Sequence, residues 1–267
     1  MRLVIAEKPS VAAALAAALG VKNKKDGYME GGGYLISWCV GHLVELAEAA
    51  AYGEQYKKWS YDSLPILPQP WQYTVFKDRQ KQFKILKDLM RRSDVYEVVN
   101  ACDAGREGEL IFRLVYHAAG CDKPFSRLWI SSMEKSAIKK GFAELKPGEA
   151  YDALYASALC RAKADWIIGI NATRLFSVLH GKTLNVGRVQ TPTLKMLADR
   201  DAAITSFKKE TYHIVHLDVG GAEAASARIS DAAKAEVLKT ACEASQAVCV
   251  SVRRERKTEQ PPRLFDL

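Results

Sequence analysis

Two short acidic segments are the part of this sequence best suited to chemistry. Asp103 and Glu107 lie four residues apart, after an apolar run and before residues with helical spacing. A strand followed by a turn and a helix places such side chains at the carboxyl end of the strand, facing a crevice. Glu7 ends another apolar run, so neighbouring strands would let three carboxylates converge on one divalent ion.

The chemistry that these residues suggest is phosphate handling with a hard cation. Mg²⁺ usually takes one or two carboxylates and completes its shell with water and phosphate. Gly105 is expected to permit a tight turn and a close approach of a phosphate, and Lys8 can place a point charge on a phosphate oxygen. Acidic residues also serve as complements of the helix dipole, and a Glu-Lys pair can simply cap a helix, so these residues alone leave both interpretations open.

The elements that must position these residues alternate along the first part of the chain. Strands are predicted at 3–6, 34–38, 95–100 and 127–130, and helices at 9–19, 77–90 and 107–119. Ser131 and Glu134 fit a capping box for a further helix through Phe142. This alternation predicts an α/β fold with a mostly parallel sheet and helices on both faces.

Composition shifts predict three domains. A break at Lys146-Pro147-Gly148 ends the first, at 1–148. The second, at 149–210, is helical, with a long helix or helix pair from Tyr151 to about Leu179 and another helix from Thr191 to about Asp201. The third, at 211–267, is β-rich, with strands predicted at 212–219 and 246–252, and it is expected to be incomplete.

The net charge, the cysteine spacing and the length of the apolar stretches narrow the class of protein. The formal charge of +8 favours a polyanionic partner. The six cysteines form no CxxC pair, which is typical of a reduced cytoplasmic protein with buried thiols rather than of disulfides or zinc. Because no apolar stretch reaches membrane-spanning length, we expect neither membrane insertion nor secretion.

Several ordered motifs resemble those of type IA DNA topoisomerases, and within that family the bacterial topoisomerase III group. Three motifs resemble its Toprim domain: Glu7–Ser10, Gly41–Leu43 and Asp103–Glu109. Two more, Arg161–Arg174 and Val186–Thr193, resemble its long helix and the adjoining DNA-contacting turn. The resemblance implies a Rossmann-like Toprim domain, then the first part of a helical DNA-binding domain and the first strands of a β-rich arch.

The family cuts one DNA strand with a tyrosine, passes another strand through the gap and reseals it. By this resemblance Glu7 would be the general acid/base and lie near the metal, and Lys8 would steady the scissile phosphate. Glu7, Asp103 and Glu107 would hold Mg²⁺. Many members carry an aspartate where this chain has Gly105, so the ion would be held by fewer acids and more waters.

The resemblance also implies DNA-contacting residues, and single-stranded DNA is the expected partner. The implied contacts are His42, Arg161, Lys163, Asn171, Arg174, Arg188 and Gln190. Arginine can grip phosphates bidentately, whereas His42 is equally well explained as a hydrogen-bonded loop residue. Trp166 can stack on a base or pack a helix, and packing is favoured.

None of the 11 tyrosines matches the family's nucleophile motif, which lies well beyond residue 267. The chain is therefore expected to be an N-terminal fragment that binds Mg²⁺ and single-stranded DNA without cleaving. The resemblance further implies a monomeric, nucleoid-associated bacterial protein with a helicase partner. The alternative is another Toprim phosphoryl-transfer protein, primase-like or nuclease-like, or a stand-alone nucleic-acid-binding module.

Overall fold

The computed structural model describes residues 1–248 and 250–262. Within them the strands are β1 (Arg2–Ala6), β2 (Asn23–Lys25), β3 (Tyr28–Gly31), β4 (Tyr34–Trp38), β5 (Val44–Leu46), β6 (Tyr73–Val75), β7 (Glu97–Ala101), β8 (Phe125–Arg127), β9 (Lys146–Pro147), β10 (His216–Val219) and β11 (Ala222–Ala225). The helices are α1 (Pro9–Leu19), α2 (Gln80–Arg91), α3 (Arg106–Ala119), α4 (Lys135–Ala143), α5 (Asp152–His180), α6 (Gln190–Thr205) and α7 (Ala232–Glu243).

A seven-stranded sheet organises the first half of the chain. Its strand order is β2-β3-β4-β1-β7-β8-β9. The four inner strands are parallel, and the outer strands β2, β3 and β9 join antiparallel. The apolar run in β1 is continuous because a central parallel strand is buried on both faces. The predicted α/β class with a mostly parallel sheet is confirmed.

Alternate residues of β1 build the two cores. Leu3 and Ile5 face α2 and α3, in a cluster that includes Leu86 and Phe112. Val4 and Ala6 point to the other face, where α1 and α4 cover them. Because successive side chains of a strand point to opposite faces, a five-residue strand is enough to anchor both layers. The carboxyl end of β1 is thereby held rigidly between its neighbours.

The chain divides into two compact units, Met1–Leu197 and Ala198–Leu267. The first unit contains the sheet and also the 29-residue helix α5, which packs along α3. The second contains the hairpin of β10 and β11 and the helix α7. The division into three domains stays a prediction. Among the described helices, none combines the length and apolar character needed to cross a bilayer.

Three local predictions are wrong. Helix α4 begins at Lys135 and not at a capping box, because the Glu134 backbone N–H donates to Ser132 Oγ at 3.3 Å and no side chain caps the helix. Strand β8 covers Phe125–Arg127 instead of 127–130, and neither neighbouring strand pairs with it beyond Arg127. The valines of the run predicted as a strand at 246–252 are exposed, and its described residues pair with no strand.

Candidate active site and nucleic-acid interface

The carboxyl ends of β4, β1 and β7 lie side by side. Ala6 is in register with Trp38 on one side and with Ala101 on the other. Glu7 therefore leaves the sheet at the same level as the turn that follows β7. The Asp103 backbone N–H donates to Glu7 Oε2 at 3.3 Å, which joins the two acidic segments directly.

Glu7, Lys8 and Asp103 form a compact group at this edge. Glu7 is only 9 % exposed, whereas Lys8 and Asp103 face solvent. The Lys8 ammonium lies 3.7 Å from Glu7 Oε1 and 3.9 Å from Asp103 Oδ2. One cation thus already sits between the two carboxylates. A divalent ion with two carboxylate ligands, water and a phosphate fits the same donor set.

Glu107 belongs to a different group. Its carboxylate lies 3.5 Å from His42 Nε2 and 3.9 Å from the Arg161 guanidinium. Across the described residues, no three His, Cys, Asp or Glu side chains are close enough together to hold a metal ion. In this structure Glu7 and Asp103 are joined and Glu107 is not gathered with them, so the three-carboxylate metal site stays a prediction. The separation arises from the first turn of α3, which directs Glu107 toward α5.

The glycine that shapes the acidic turn is Gly108 rather than Gly105. Gly105 has an extended backbone (φ −178°), and a Cβ there would meet open space. A Cβ at Gly108 would lie 2.1 Å from the Asp103 carbonyl oxygen, so only glycine fits. The expected role of Gly105 in a tight turn is wrong, since any residue adopts its backbone conformation.

A buried ionic network supports the turn from below, and sequence reasoning missed it. Glu109 is fully buried, and its carboxylate accepts hydrogen bonds from Asn100 Nδ2 at 2.9 Å and Arg113 Nε at 2.8 Å. Arg127 Nε lies 3.1 Å from Glu109 Oε2. Burial lowers the pKa of Arg127, and the charge of Glu109 opposes that shift. The i,i+4 spacing of Glu109 and Arg113 was the one available signal.

Arg127 uses its remaining donors on the backbone of the turn. Nη1 donates to the carbonyls of Cys102 at 2.7 Å and Leu128 at 3.0 Å, and Nη2 donates to the Asp103 carbonyl at 2.6 Å. Asn100 Oδ1 accepts from the Cys102 N–H at 3.1 Å. The backbone that presents the Asp103 carboxylate is therefore fixed by buried side chains.

Basic residues continue from this edge along α5. Arg161 lies 3.8 Å from Asp165, and Arg188 Nε donates to the same carboxylate at 2.8 Å. Lys163 Nζ lies 5.4 Å from the centre of the Trp71 ring. Gln190 is exposed at the start of α6. Arg161, Arg188 and His42 are thus linked to the acidic turn through Glu107 and Asp165.

Asn171 and Arg174 face the protein instead. The Asn171 amide bonds both backbone groups of Ile66, and Arg174, 7 % exposed, donates to the Tyr56 carbonyl at 2.8 Å. Burial also lowers the pKa of Arg174. Trp166 Nε1 donates to the Ala47 carbonyl at 3.0 Å and its ring packs edge-on against Tyr52 and Trp71, which supports the favoured packing interpretation.

Comparisons with known proteins agree along the chain. Residues 2–133 match the model of the Toprim domain, and residues 149–267 match a model described as DNA topoisomerase. DNA topoisomerase 3 of Shouchella clausii is 45 % identical over 100 % of this chain and 38 % of its own length. DNA topoisomerase 3 of Bacillus thuringiensis is 51 % identical over 79 % of this chain and 29 % of its own length.

A solved structure shares the fold. Full-length topoisomerase I from Thermotoga maritima superposes with a TM-score of 0.59 at 21 % identity, over 88 % of this chain and 37 % of that one. The chain thus spans less than two fifths of the length of these relatives.

Proposed function

Because the chain belongs to the family of type IA DNA topoisomerases, we propose that it forms part of an enzyme that transiently cuts one DNA strand, passes another through the gap and reseals it. The observation that carries the proposal is the joining of Glu7 and Asp103 at one sheet edge, with Lys8 between their carboxylates. The topoisomerase match over 149–267 favours this function over another Toprim phosphoryl-transfer protein or a stand-alone binding module.

We assign the proton transfer to Glu7. Its carboxylate is nearly buried and is oriented by the Asp103 N–H, so it can give a proton to the leaving sugar oxygen and take it back on resealing. Lys8 is exposed and flexible, and it can exchange its contacts with the two carboxylates for a contact with the scissile phosphate. The two residues then neutralise negative charge on the same reacting group, Glu7 at the leaving oxygen and Lys8 at the phosphate.

Glu7 and Asp103 are the residues we expect to hold Mg²⁺, with water and phosphate completing its shell. When bound, the ion supplies positive charge that neutralises the phosphate in the transition state. Glu107 is the third predicted ligand, but it must leave His42 and Arg161 to reach the ion. A site with two carboxylates binds the ion weakly until a phosphate arrives, which ties metal binding to DNA binding.

Three of the tyrosines are poor candidates for the nucleophile. Burial raises the pKa of Tyr116 to about 12, and burial also raises the pKa values of Tyr73 and Tyr155. An attacking phenolate needs the opposite shift. Because none of the 11 tyrosines matches the family's nucleophile motif, we propose that this chain alone binds DNA and metal without cutting.

We propose that five residues contact single-stranded DNA: His42, Arg161, Lys163, Arg188 and Gln190. Arg188 carries most weight because it is exposed on a turn, and a phosphate can replace its present partner Asp165. A nucleoid location, a monomeric state and a helicase partner stay predictions. Asn171 and Arg174 were also predicted as DNA contacts. Asn171 is better explained by its contact with the backbone of Ile66, and Arg174 by its contact with the backbone of Tyr56.

Two measurements test the function. The chain should bind a labelled single-stranded oligonucleotide, and Arg188→Ala should weaken binding and reduce the salt slope by about 0.7. A longer protein that includes the family's tyrosine should relax negatively supercoiled plasmid with Mg²⁺, and Glu7→Gln should abolish cleavage while single-strand binding stays. Full-rate cleavage by the Glu7→Gln protein would disprove the assignment of Glu7.

A further inference from the structure

An irregular segment between β5 and β6 is fastened to α5 by side chains. We call residues 47–72 the strap. Besides Asn171, two α5 side chains bind strap carbonyls: Trp166 Nε1 donates to Ala47 at 3.0 Å and Arg174 Nη1 donates to Tyr56 at 2.8 Å. The strap contains three short 3-10 turns and no strand or α-helix. Some of its backbone groups bond within the strap, and those at Ala47, Tyr56 and Ile66 find their partners on the helix.

Asn171 makes the most specific of these attachments. Its Oδ1 accepts from the Ile66 N–H at 2.6 Å, and its Nδ2 donates to the Ile66 carbonyl at 3.0 Å. Nδ2 also donates to the Ile167 carbonyl within α5 at 2.8 Å. One amide thus satisfies both polar groups of a buried strap residue, as a neighbouring strand would. Loss of the amide would leave a buried N–H and C=O without that partner.

The attached strap forms one wall of a cavity of about 680 Å³. Lys57 and Trp59 lie on this wall, and Asp165, Gly169 and Thr173 of α5 line the cavity as well. Trp59 is 41 % exposed, and the Arg174 guanidinium lies 5.4 Å from the centre of its ring. Lys57 is also exposed, and its ammonium contacts the exposed Glu54 at 2.7 Å.

An exposed tryptophan beside an exposed lysine in a cavity has the chemistry of single-strand recognition. Bases of any sequence stack on aromatic rings, and lysine neutralises the phosphate next to them. The cavity shares Asp165 with the ion pairs of Arg161 and Arg188, so a strand on those arginines passes its mouth. The segment matches no part of the motifs that carry the resemblance to topoisomerases.

We propose that the strap is a second wall of the single-stranded DNA site, in which Trp59 stacks on a base and Lys57 contacts a phosphate. Asn171 is its positioning residue, acting through the strap and not on DNA. The inference rests on the proposed DNA-binding function.

The first experiment measures binding of a fluorescein-labelled oligothymidylate to the 267-residue chain by anisotropy. Trp59→Ala should lower the affinity about fivefold to a hundredfold, the range for losing one stacked base. Lys57→Ala should weaken binding and reduce the salt slope by about 0.7. Lys81→Ala is the matched control, because Lys81 is an exposed lysine that contacts an exposed carboxylate, Asp26, at 2.8 Å outside the cavity. It should bind as the wild type does.

The outcomes separate the strap from the wider function. Unchanged binding by Trp59→Ala and Lys57→Ala, together with weakened binding by Arg188→Ala, would overturn the strap site and leave the proposed function standing. A wild-type chain that binds no single-stranded DNA would overturn both.

The second experiment tests Asn171. Asn171→Ala should speed tryptic cleavage after Lys57 and Lys58 and should weaken oligothymidylate binding. Circular dichroism of Asn171→Ala guards against a misfolded variant. In a Trp59→Ala/Lys57→Ala background Asn171→Ala should cost little further affinity, since both contacts of the wall are already lost. Fully additive losses would show that Asn171 does not act through the strap.

Discussion

Arg127 Nη2 donates a hydrogen bond of 2.6 Å to the carbonyl oxygen of Asp103, so a buried cation holds the backbone of the acidic turn. The same guanidinium lies against the fully buried carboxylate of Glu109. The backbone of Asp103 and the buried carboxylate of Glu109 are therefore tied together through a single arginine. This relationship sets the position of Asp103 independently of any ligand.

Arg127→Met should destabilise the chain strongly. It leaves Glu109 with less positive charge around it, and breaking a buried ion pair typically costs about 3–5 kcal/mol. Urea unfolding followed by circular dichroism measures the loss. The double variant Arg127→Met/Glu109→Gln should be more stable than Arg127→Met alone, because the uncompensated charge is gone. A double variant that is less stable than the single one would contradict the ionic explanation.

Gly105→Asp should strengthen both the helix and the metal site. Gly105 is the N-cap of α3 in an extended conformation with open space at its Cβ, so an aspartate fits without strain. Aspartate at this position gives a better cap than glycine by a few tenths of a kcal/mol. Its carboxylate would also join Asp103 and Glu7 as a third acid.

The matched control is Gly105→Asn, which caps the helix equally well but adds no charge. Mn²⁺ binding, followed by electron paramagnetic resonance, should tighten for Gly105→Asp and stay unchanged for Gly105→Asn. Equal Mn²⁺ affinities in the two variants would argue against a metal at this turn.

Gly108→Ala should distort the same turn. The new Cβ would lie 2.1 Å from the Asp103 carbonyl oxygen, and backbone must move to relieve the clash. Overpacking of this kind costs about 1–3 kcal/mol. Thermal unfolding measures the stability, and Mn²⁺ titration reports whether Asp103 has moved. Gly181→Ala serves for comparison: it strains a left-handed backbone but contacts nothing, and should leave Mn²⁺ binding unchanged.

Tyr116 should make stability fall at high pH. Burial raises its pKa from 10 to about 12, and its hydroxyl donates to the Lys123 carbonyl. The unfolded chain loses the phenolic proton first, so this contribution to stability is complete below pH 10 and is lost as the pH rises toward 12. Absorbance at 295 nm should show a tyrosine titrating near pH 12, and Tyr116→Phe should remove that step. The control is the exposed Tyr61, since Tyr61→Phe should leave the absorbance step near pH 12 unchanged.

The sheet was predictable because its signal is local. The apolar runs at 3–6, 34–38 and 95–100 mark strands buried on both faces, and all three pair in parallel in the structure. The meeting of Glu7 with the acidic turn follows from that pairing alone. The hydrophobic pattern does not predict where a side chain points once the strand has ended. Glu107 turns to His42 and Arg161, which lie 65 and 54 residues away along the chain.

The attachment of the strap shows a second limit of prediction from sequence. Asn171 and Arg174 look like surface residues of a helix, and their partners are backbone groups of Ile66 and Tyr56. Backbone groups carry no residue-specific signal, and the strap has no periodicity from which its path could be predicted. The burial of Glu109 could not be predicted either, because a motif rich in acidic residues does not indicate which of them is buried.

The outer strands of the sheet have a consequence for the behaviour of the chain in concentrated solution. An open sheet edge is a template for aggregation, since its free N–H and C=O groups can recruit another strand. One edge here, β2, is three residues long with two exposed lysines, Lys24 and Lys25. The other, β9, is two residues long, and Pro147 has no N–H to offer. Both edges thereby discourage strand addition, and the sheet is protected against self-association.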